Sequence, residues 1–213
     1  MALARCIACL PWRCCRDSIG RSRPNEEDRM SDTLHLFVSS SPDLVAEREA
    51  IGQAVAELQV TLGWEIKHTP RTAAEAGEAL GFLERCDIVV LALGADFAAP
   101  MGLEWQRAQA LDKPLLAYRK VGLHSPSAGQ ALREVSISWS PFESSVQFKA
   151  AFARDLAQLL LDRGEYLGLH VEDIRPLLEQ VGRADDSVKG EMDRRRGAER
   201  GGVILSQREQ SDA

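Results

Sequence analysis

The chain lacks any apolar run approaching the roughly twenty residues that a membrane-spanning helix needs. The run Ile7 to Leu10 is too short and too interrupted for a secretory signal. No membrane partner is expected, and the expected compartment is cytoplasmic. The chain also lacks a basic excess: 26 Lys and Arg stand against 32 Asp and Glu, a net charge of −6. No field gathers phosphate backbones, so no nucleic-acid partner is expected. There is no GxxxxGK[ST] loop, no histidine cluster and no cysteine pair followed by a second ligand pair at finger-like distance. P-loop phosphate transfer and metal catalysis therefore have no support, and no cofactor is expected.

Cysteine is concentrated at the start, as Cys6, Cys9, Cys14 and Cys15, in an arginine-rich and weakly apolar segment. A metal knuckle, a disulfide and acylation stay open for these four. The expectation is that residues 1 to 30 are a disordered extension, or that Met30, directly before Ser31-Asp32-Thr33, is the start and the preceding residues are not normally made. Cys86 sits where a helix hands over to an apolar strand, which suits a small buried filler.

With 213 residues, 45% of them hydrophobic, the chain suffices for one well-buried domain and flanking segments. The pattern predicts strands at Leu34 to Val38, Trp64 to His68, Asp87 to Leu93, Leu115 to Arg119 and Val135 to Trp139. Between them lie helical periods. Ser41-Pro42 reads as an N-cap with proline at the first helical position, followed by Leu44, Ile51, Val55, Leu58 and Leu62 at helical spacing, with Gly63 as the stop. Glu47, Arg48, Glu49 and Glu57 fall on the exposed face of this helix. Further helices are predicted at Thr72 to Arg85, Leu103 to Leu111, Pro126 to Arg133 and Ser145 to Leu161. Strand and helix alternate five times, which predicts a three-layer α/β domain over residues 33 to 162: a flavodoxin-like, parallel five-stranded sheet in the order two, one, three, four, five, with helices on both faces.

After this domain, Leu167, Val171, Ile174, Leu178 and Val181 repeat at spacings of four and three, although Pro176 lies inside the seam and should break or kink a helix. Residues 163 to 182 are expected to be a helical docking segment, with a protein partner or self-association through 165 to 182, or a piece packed on its own domain. Beyond Gly182 mixed charges and paired glycines leave too little apolar material for a core, so residues 183 to 213 are expected to be disordered.

In such folds ligands bind at the carboxyl edge of the sheet, where loops and helix starts converge. Three stretches should meet there: Ser39, Ser40 and Ser41; then Gly94, Asp96 and Phe97; then Gly102 and Glu104. Serine hydroxyls suit ribose or phosphate, a carboxylate holds sugar hydroxyls, and an aromatic ring covers a base, so the combination fits a nucleotide or nucleoside ligand. The plainer alternative is that the serines cap the first helix and that Glu104 favours the dipole of its own. Asp87 opens a strand at the opposite edge and suits a structural cap, and His68 ends a strand at the rim of the crevice.

Leu36-Phe37-Val38-Ser39-Ser40, Asp43-Leu44 and Glu47-Arg48-Glu49-Ala50, then Cys86 to Leu91 with Gly94, then Glu104 with Ala108 and Lys113-Pro114 together resemble a domain-of-unknown-function family found N-terminal to NACHT-type and repeat-bearing signalling proteins. The resemblance covers about residues 33 to 162. More distantly the pattern is similar to TIR domains and nucleoside 2-deoxyribosyltransferases, in which a glutamate at the corresponding helix start acts on the anomeric carbon of a ribosyl group. That resemblance implies a catalytic role for Glu104. The chain departs from it at Phe97, where a tyrosine is usual, at Ala98, where a glycine is usual, and at Pro100-Met101-Gly102, where a Ser or Thr often precedes the glutamate. Two functions of different class follow: a signalling or defence module that binds a nucleotide-like ligand or a protein, and an N-glycosidase or ribosyl transferase acting on NAD or a nucleoside.

Overall fold

A computed structural model describes residues 33–70, 72–135 and 137–182. The expectations for residues 1 to 30, with Cys6, Cys9, Cys14 and Cys15, and for the tail from 183 lie outside the described residues. The elements in chain order are β1 (Thr33–Ser40), α1 (Val45–Glu57), β2 (Gly63–His68), a 3-10 turn (Ala73–Glu75), α2 (Ala76–Arg85), β3 (Ile88–Leu93), α3 (Ala99–Ala110), β4 (Leu115–Lys120), α4 (Pro126–Glu134), β5 (Ser140–Phe142) and α5 (Ser145–Leu167). A last helix, α6, covers residues 171–182.

The five strands pair in parallel in the order β2-β1-β3-β4-β5, the flavodoxin-like arrangement that the alternation predicts. Strand β1 has a neighbour on either side, and its side chains divide between two cores. Leu34, Leu36 and Val38 join Ile88 and Val90 under α1 and α5, with Phe148, Phe152 and Leu156 from α5. Phe37 and Val89 point the other way, to Ala79, Phe82 and Leu83 of α2 and Ala108 of α3. All six residues of β3 are buried, as a strand covered on both faces requires. Cys86 is the buried filler its position suggests: its Sγ donates to the Leu83 carbonyl, and burial pushes the thiol up to about 11.

Several boundaries differ from the sequence pattern, each for a local reason. Helix α1 starts at Val45, with no side-chain cap, because the Ser41 hydroxyl is bonded elsewhere. It ends at Glu57, and Gly63 opens β2 instead of closing the helix. Helix α3 begins at Ala99, with Pro100 in its first turn. The fifth strand is Ser140–Phe142, not Val135 to Trp139: Ile137 and Trp139 pack on Leu91, Met101 and Ala117, so they gain burial without ladder bonds. Pro141 is tolerated because β5 is an edge strand.

The expected boundary at 162 falls inside α5, and the following segment is packed on the same domain. Leu177 is buried in the α1/α5 core, and Leu167, Leu169 and Val181 pack against it. Helix α6 runs through Pro176 without ending there. The bond that proline removes is compensated by the burial of Leu177 and by Asp173, also buried, which ties α6 to the loop after α1. Its Oδ1 accepts the Thr61 N–H at 2.8 Å, and its Oδ2 accepts the Thr61 hydroxyl at 2.9 Å and the His170 N–H at 3.2 Å.

Burial by itself would raise the Asp173 carboxyl, but the donors from Thr61 and His170 outweigh it and hold the group below its ordinary value. A depressed folded value means stability that is present above the unfolded value and lost as pH falls through the folded one. Asp173→Asn should therefore cost about 1–2 kcal/mol in urea denaturation at pH 7, with the gap to wild type constant down to about pH 4.5 and closing below about pH 4.

Candidate functional site

The serine triplet at the end of β1 enters a region closed to water, with Ser39, Ser40 and Ser41 all buried. Strand alternation sends Ser39 to the α2/α3 face, on the same side as Phe37. There its hydroxyl donates to Oε2 of Glu104 at 2.6 Å. Thr69, directly after β2, donates to the same oxygen at 3.0 Å and accepts the Ser40 N–H at 3.0 Å. Three elements thus converge on one carboxylate: the ends of β1 and β2, and helix α3.

Glu104 is 2% exposed. It is the sixth residue of α3, in the second turn, because the helix starts earlier than the sequence pattern suggests. The first turn of α3 holds no acidic residue, so the dipole does not account for this glutamate, since that effect fades beyond the first turn. The two carboxylate oxygens differ: Oε2 takes two hydroxyl donors, while Oε1 is buried with no hydrogen-bond partner among the described residues. Burial raises the Glu104 carboxyl above its ordinary value, and the Ser39 and Thr69 donors offset part of that rise. The Ser40 Oγ is a second buried oxygen without a partner among the described residues.

Ser41 does different work. Its hydroxyl donates to the Asp96 carbonyl at 2.5 Å and accepts the Gly94 N–H at 2.8 Å, which binds the loop after β1 to the loop after β3. It does not cap α1. At Gly94 a Cβ would overlap the carboxylate of Asp43, whose Oδ2 accepts the Ala95 N–H at 3.1 Å, so a larger residue there would displace that side chain. Asp96 is engaged at the start of α4: its Oδ1 accepts the Ser125 hydroxyl at 2.5 Å, the Ser127 hydroxyl at 2.6 Å and the Phe97 N–H at 2.9 Å. The serine bonds, that of Ser125 first, hold the Asp96 carboxyl below its ordinary value.

The structure therefore brings Ser39 and Glu104 together and places the other candidates around them in separate roles. Phe97 and Gly102 line a crevice of about 300 Å³ between α3 and α4, with Trp105 and Gln130. A larger groove of about 510 Å³ opens where β2 ends, lined by Val45, Arg48 and Glu49 of α1 and by His68, Thr69 and Pro70. Thr69 is common to this groove and to the Glu104 cluster. Glu47, on the face of α1 that reads as solvated, is buried and accepts Lys120 Nζ at 2.9 Å. Asp87 holds the opposite edge, where its Oδ2 accepts the His35 N–H at 2.8 Å.

No protein-family model matches the chain, and no curated protein matches it. Among the described residues no cluster of His, Cys, Asp and Glu is arranged to hold a metal ion, and no helix is long and apolar enough to cross a membrane. Thr69 is the member of the cluster that motif reading misses. Its signal was its position, the first residue beyond a strand at the carboxyl edge, the same criterion that picks out the serines.

The burial of Glu104 has a measurable consequence. A carboxyl whose folded value is raised loses stability as it ionises, so the ionised form costs stability at neutral pH and nothing once both states are protonated. Glu104→Gln, which keeps the shape and removes the charge, should be more stable than wild type at pH 7 in urea denaturation. The advantage should shrink as pH falls from the raised folded value toward about 4.5, the ordinary glutamate value, and be absent below it.

Proposed function

We propose that the protein is a cytoplasmic signalling or defence module that binds a nucleotide-like ligand or a protein partner at the carboxyl edge of its sheet, and that of these the site best suits a nucleoside or nucleotide. The observation that carries this reading is the unsatisfied Oε1 of Glu104, a buried acceptor beside two hydroxyls. Native proteins leave few such atoms unpaired, and those they leave need an explanation. A sugar hydroxyl donating to Oε1 would satisfy it. Thr69 also lines the groove of about 510 Å³ at the end of β2, which has the volume for the rest of such a molecule.

A second reading keeps the same residues and adds chemistry. With Oε2 held by Ser39 and Thr69, Oε1 is the oxygen left to attack an anomeric carbon or to shield an oxocarbenium charge, as an N-glycosidase or ribosyl transferase acting on NAD or a nucleoside would require. The resemblance to TIR domains and deoxyribosyltransferases points the same way. Binding remains the leading reading, because the cluster offers one carboxylate and no assembled acid partner for the leaving base.

Thermal melting of the full chain with NAD, ADP-ribose and a panel of nucleosides and nucleotides tests both. At about 100 times the dissociation constant a true ligand should raise the melting temperature by about 5 °C or more. Glu104→Gln should abolish that shift, and Ser39→Ala or Thr69→Ala should weaken binding about tenfold. Chromatography of the same mixtures reads base release. Binding without release identifies a binding module; release that disappears in Glu104→Gln identifies the glycosidase; no shift and no release with any compound sinks the small-ligand reading altogether.

A further inference from the structure

The groove beside β2 has an unusual wall. Ile66, Lys67, His68, Thr69 and Pro70 are consecutive, and all of them line it. Of these, Ile66, Lys67 and His68 belong to β2, and successive strand residues point to opposite faces of a sheet, so a groove lined by all three, and by Val45, Arg48 and Glu49 of α1, runs along the strand's edge. β2 is the terminal strand, and β1 occupies its inner side, so this is its outer edge. The Thr69 N–H bonds inward to the Val38 carbonyl at 2.9 Å. Alternation of ladder bonds along the strand then aims the N–H and C=O of Trp64 and Ile66 outward.

An outward-facing strand edge is a template for another strand unless proline, a bulge or charge guards it. Between Gly63 and His68 there is no proline, and the charges are Glu65 and Lys67, opposite in sign and placed symmetrically about Ile66. We propose that β2 is a self-association edge, at which two copies of this chain pair their β2 strands antiparallel about a two-fold axis through Ile66. In that register each Ile66 faces its counterpart, Trp64 lies across from His68, and each Glu65 lies across from Lys67 of the second copy.

The backbone polarity agrees with this register. Outward N–H and C=O groups on Ile66 make the central pair hydrogen-bonded, which leaves the Glu65 and Lys67 pairs as the narrow kind, in which side chains approach most closely. Both side chains are available, Glu65 at 53% and Lys67 at 35% exposure. Each already has a neighbour of opposite kind in its own chain, His35 at 3.3 Å from Glu65 and Glu78 at 2.6 Å from Lys67. Pairing the edges joins these into rows that alternate in the order Glu78, Lys67, Glu65, His35. A register centred on Glu65 or on Lys67 would set like charges opposite each other, so the charges select the Ile66 centre over its neighbours. A guarded edge would carry charges of one sign, and this one is complementary to itself.

Sedimentation of the full chain over a range of concentrations tests the proposal without reference to any ligand. Wild type should dimerise. Glu65→Lys and Lys67→Glu should each raise the dimer dissociation constant about tenfold or more, because each places two like-charged pairs across the axis. The double variant carrying both changes restores opposite charges and should return to within about threefold of wild type. Circular dichroism of all variants, unchanged, shows that the fold is kept. A wild type still monomeric at about 100 μM, a dimer indifferent to both single reversals, or a double variant as weak as the singles would each overturn the proposal.

Discussion

The burial of the end of β1 is the constraint on which the rest of the site depends. β1 has strands on both sides and helices over both faces, so Ser39, Ser40 and Ser41 are shut away from water although they are polar. A buried hydroxyl needs a partner, and leaving one unmade costs about 1–3 kcal/mol. Ser39 is answered by Glu104 on α3, and Ser41 by the loop after β3. These bonds fix where α3 and the β3 loop lie against the sheet, and with them the position of the carboxylate. Serine at these positions is an assembly device as much as a ligand device.

The same burial sets the electrostatics. A carboxylate removed from water is costly unless each oxygen is answered by donors. Glu104 is answered on Oε2 and left open on Oε1, an asymmetry in which folding fixes the group while its hydrogen bonding stays incomplete. Asp173 shows the contrast within the same chain. It is equally buried, but Thr61 and His170 supply donors to both of its oxygens, and its carboxyl is held down instead of pushed up. One acid is finished by the fold and serves as a clamp; the other is unfinished and suits a site.

The periphery follows the same logic of satisfied and unsatisfied surfaces. α6 contributes Asp173 and Leu177 to its own domain and leaves Val171, Ile174 and Leu178 at the surface. A periodic apolar seam that suggested a docking segment is thus split, with Leu167 and Val181 packed on the α1/α5 core and the other three outside it. The β2 edge has no strand on its outer side and carries Glu65 and Lys67, charges that complement a copy of themselves. The crevice at Phe97 and Gly102 is separate from the Glu104 cluster, so the aromatic ring expected over a bound base stands against α4 instead.

By itself the sequence determined the order of the elements, the parallel sheet and the carboxyl edge as the place to look. Apolar strands, helical periods and short connections are local signals, and the right-handed crossover rule leaves few topologies for them. It also singled out Glu104, Ser39 and the loop residues by type and position. Only the tertiary structure decided which of these meet. Ser41, Gly94 and Asp96 became structural ties and Thr69 joined the cluster, because partners in hydrogen bonds such as Thr69 with Glu104 lie in different elements and their choice depends on how those elements are packed. The start of α3 at Ala99 and the displaced β5 were likewise tertiary choices, since helix ends and edge strands are decided by small local energies that burial of residues such as Met101 and Trp139 outweighs.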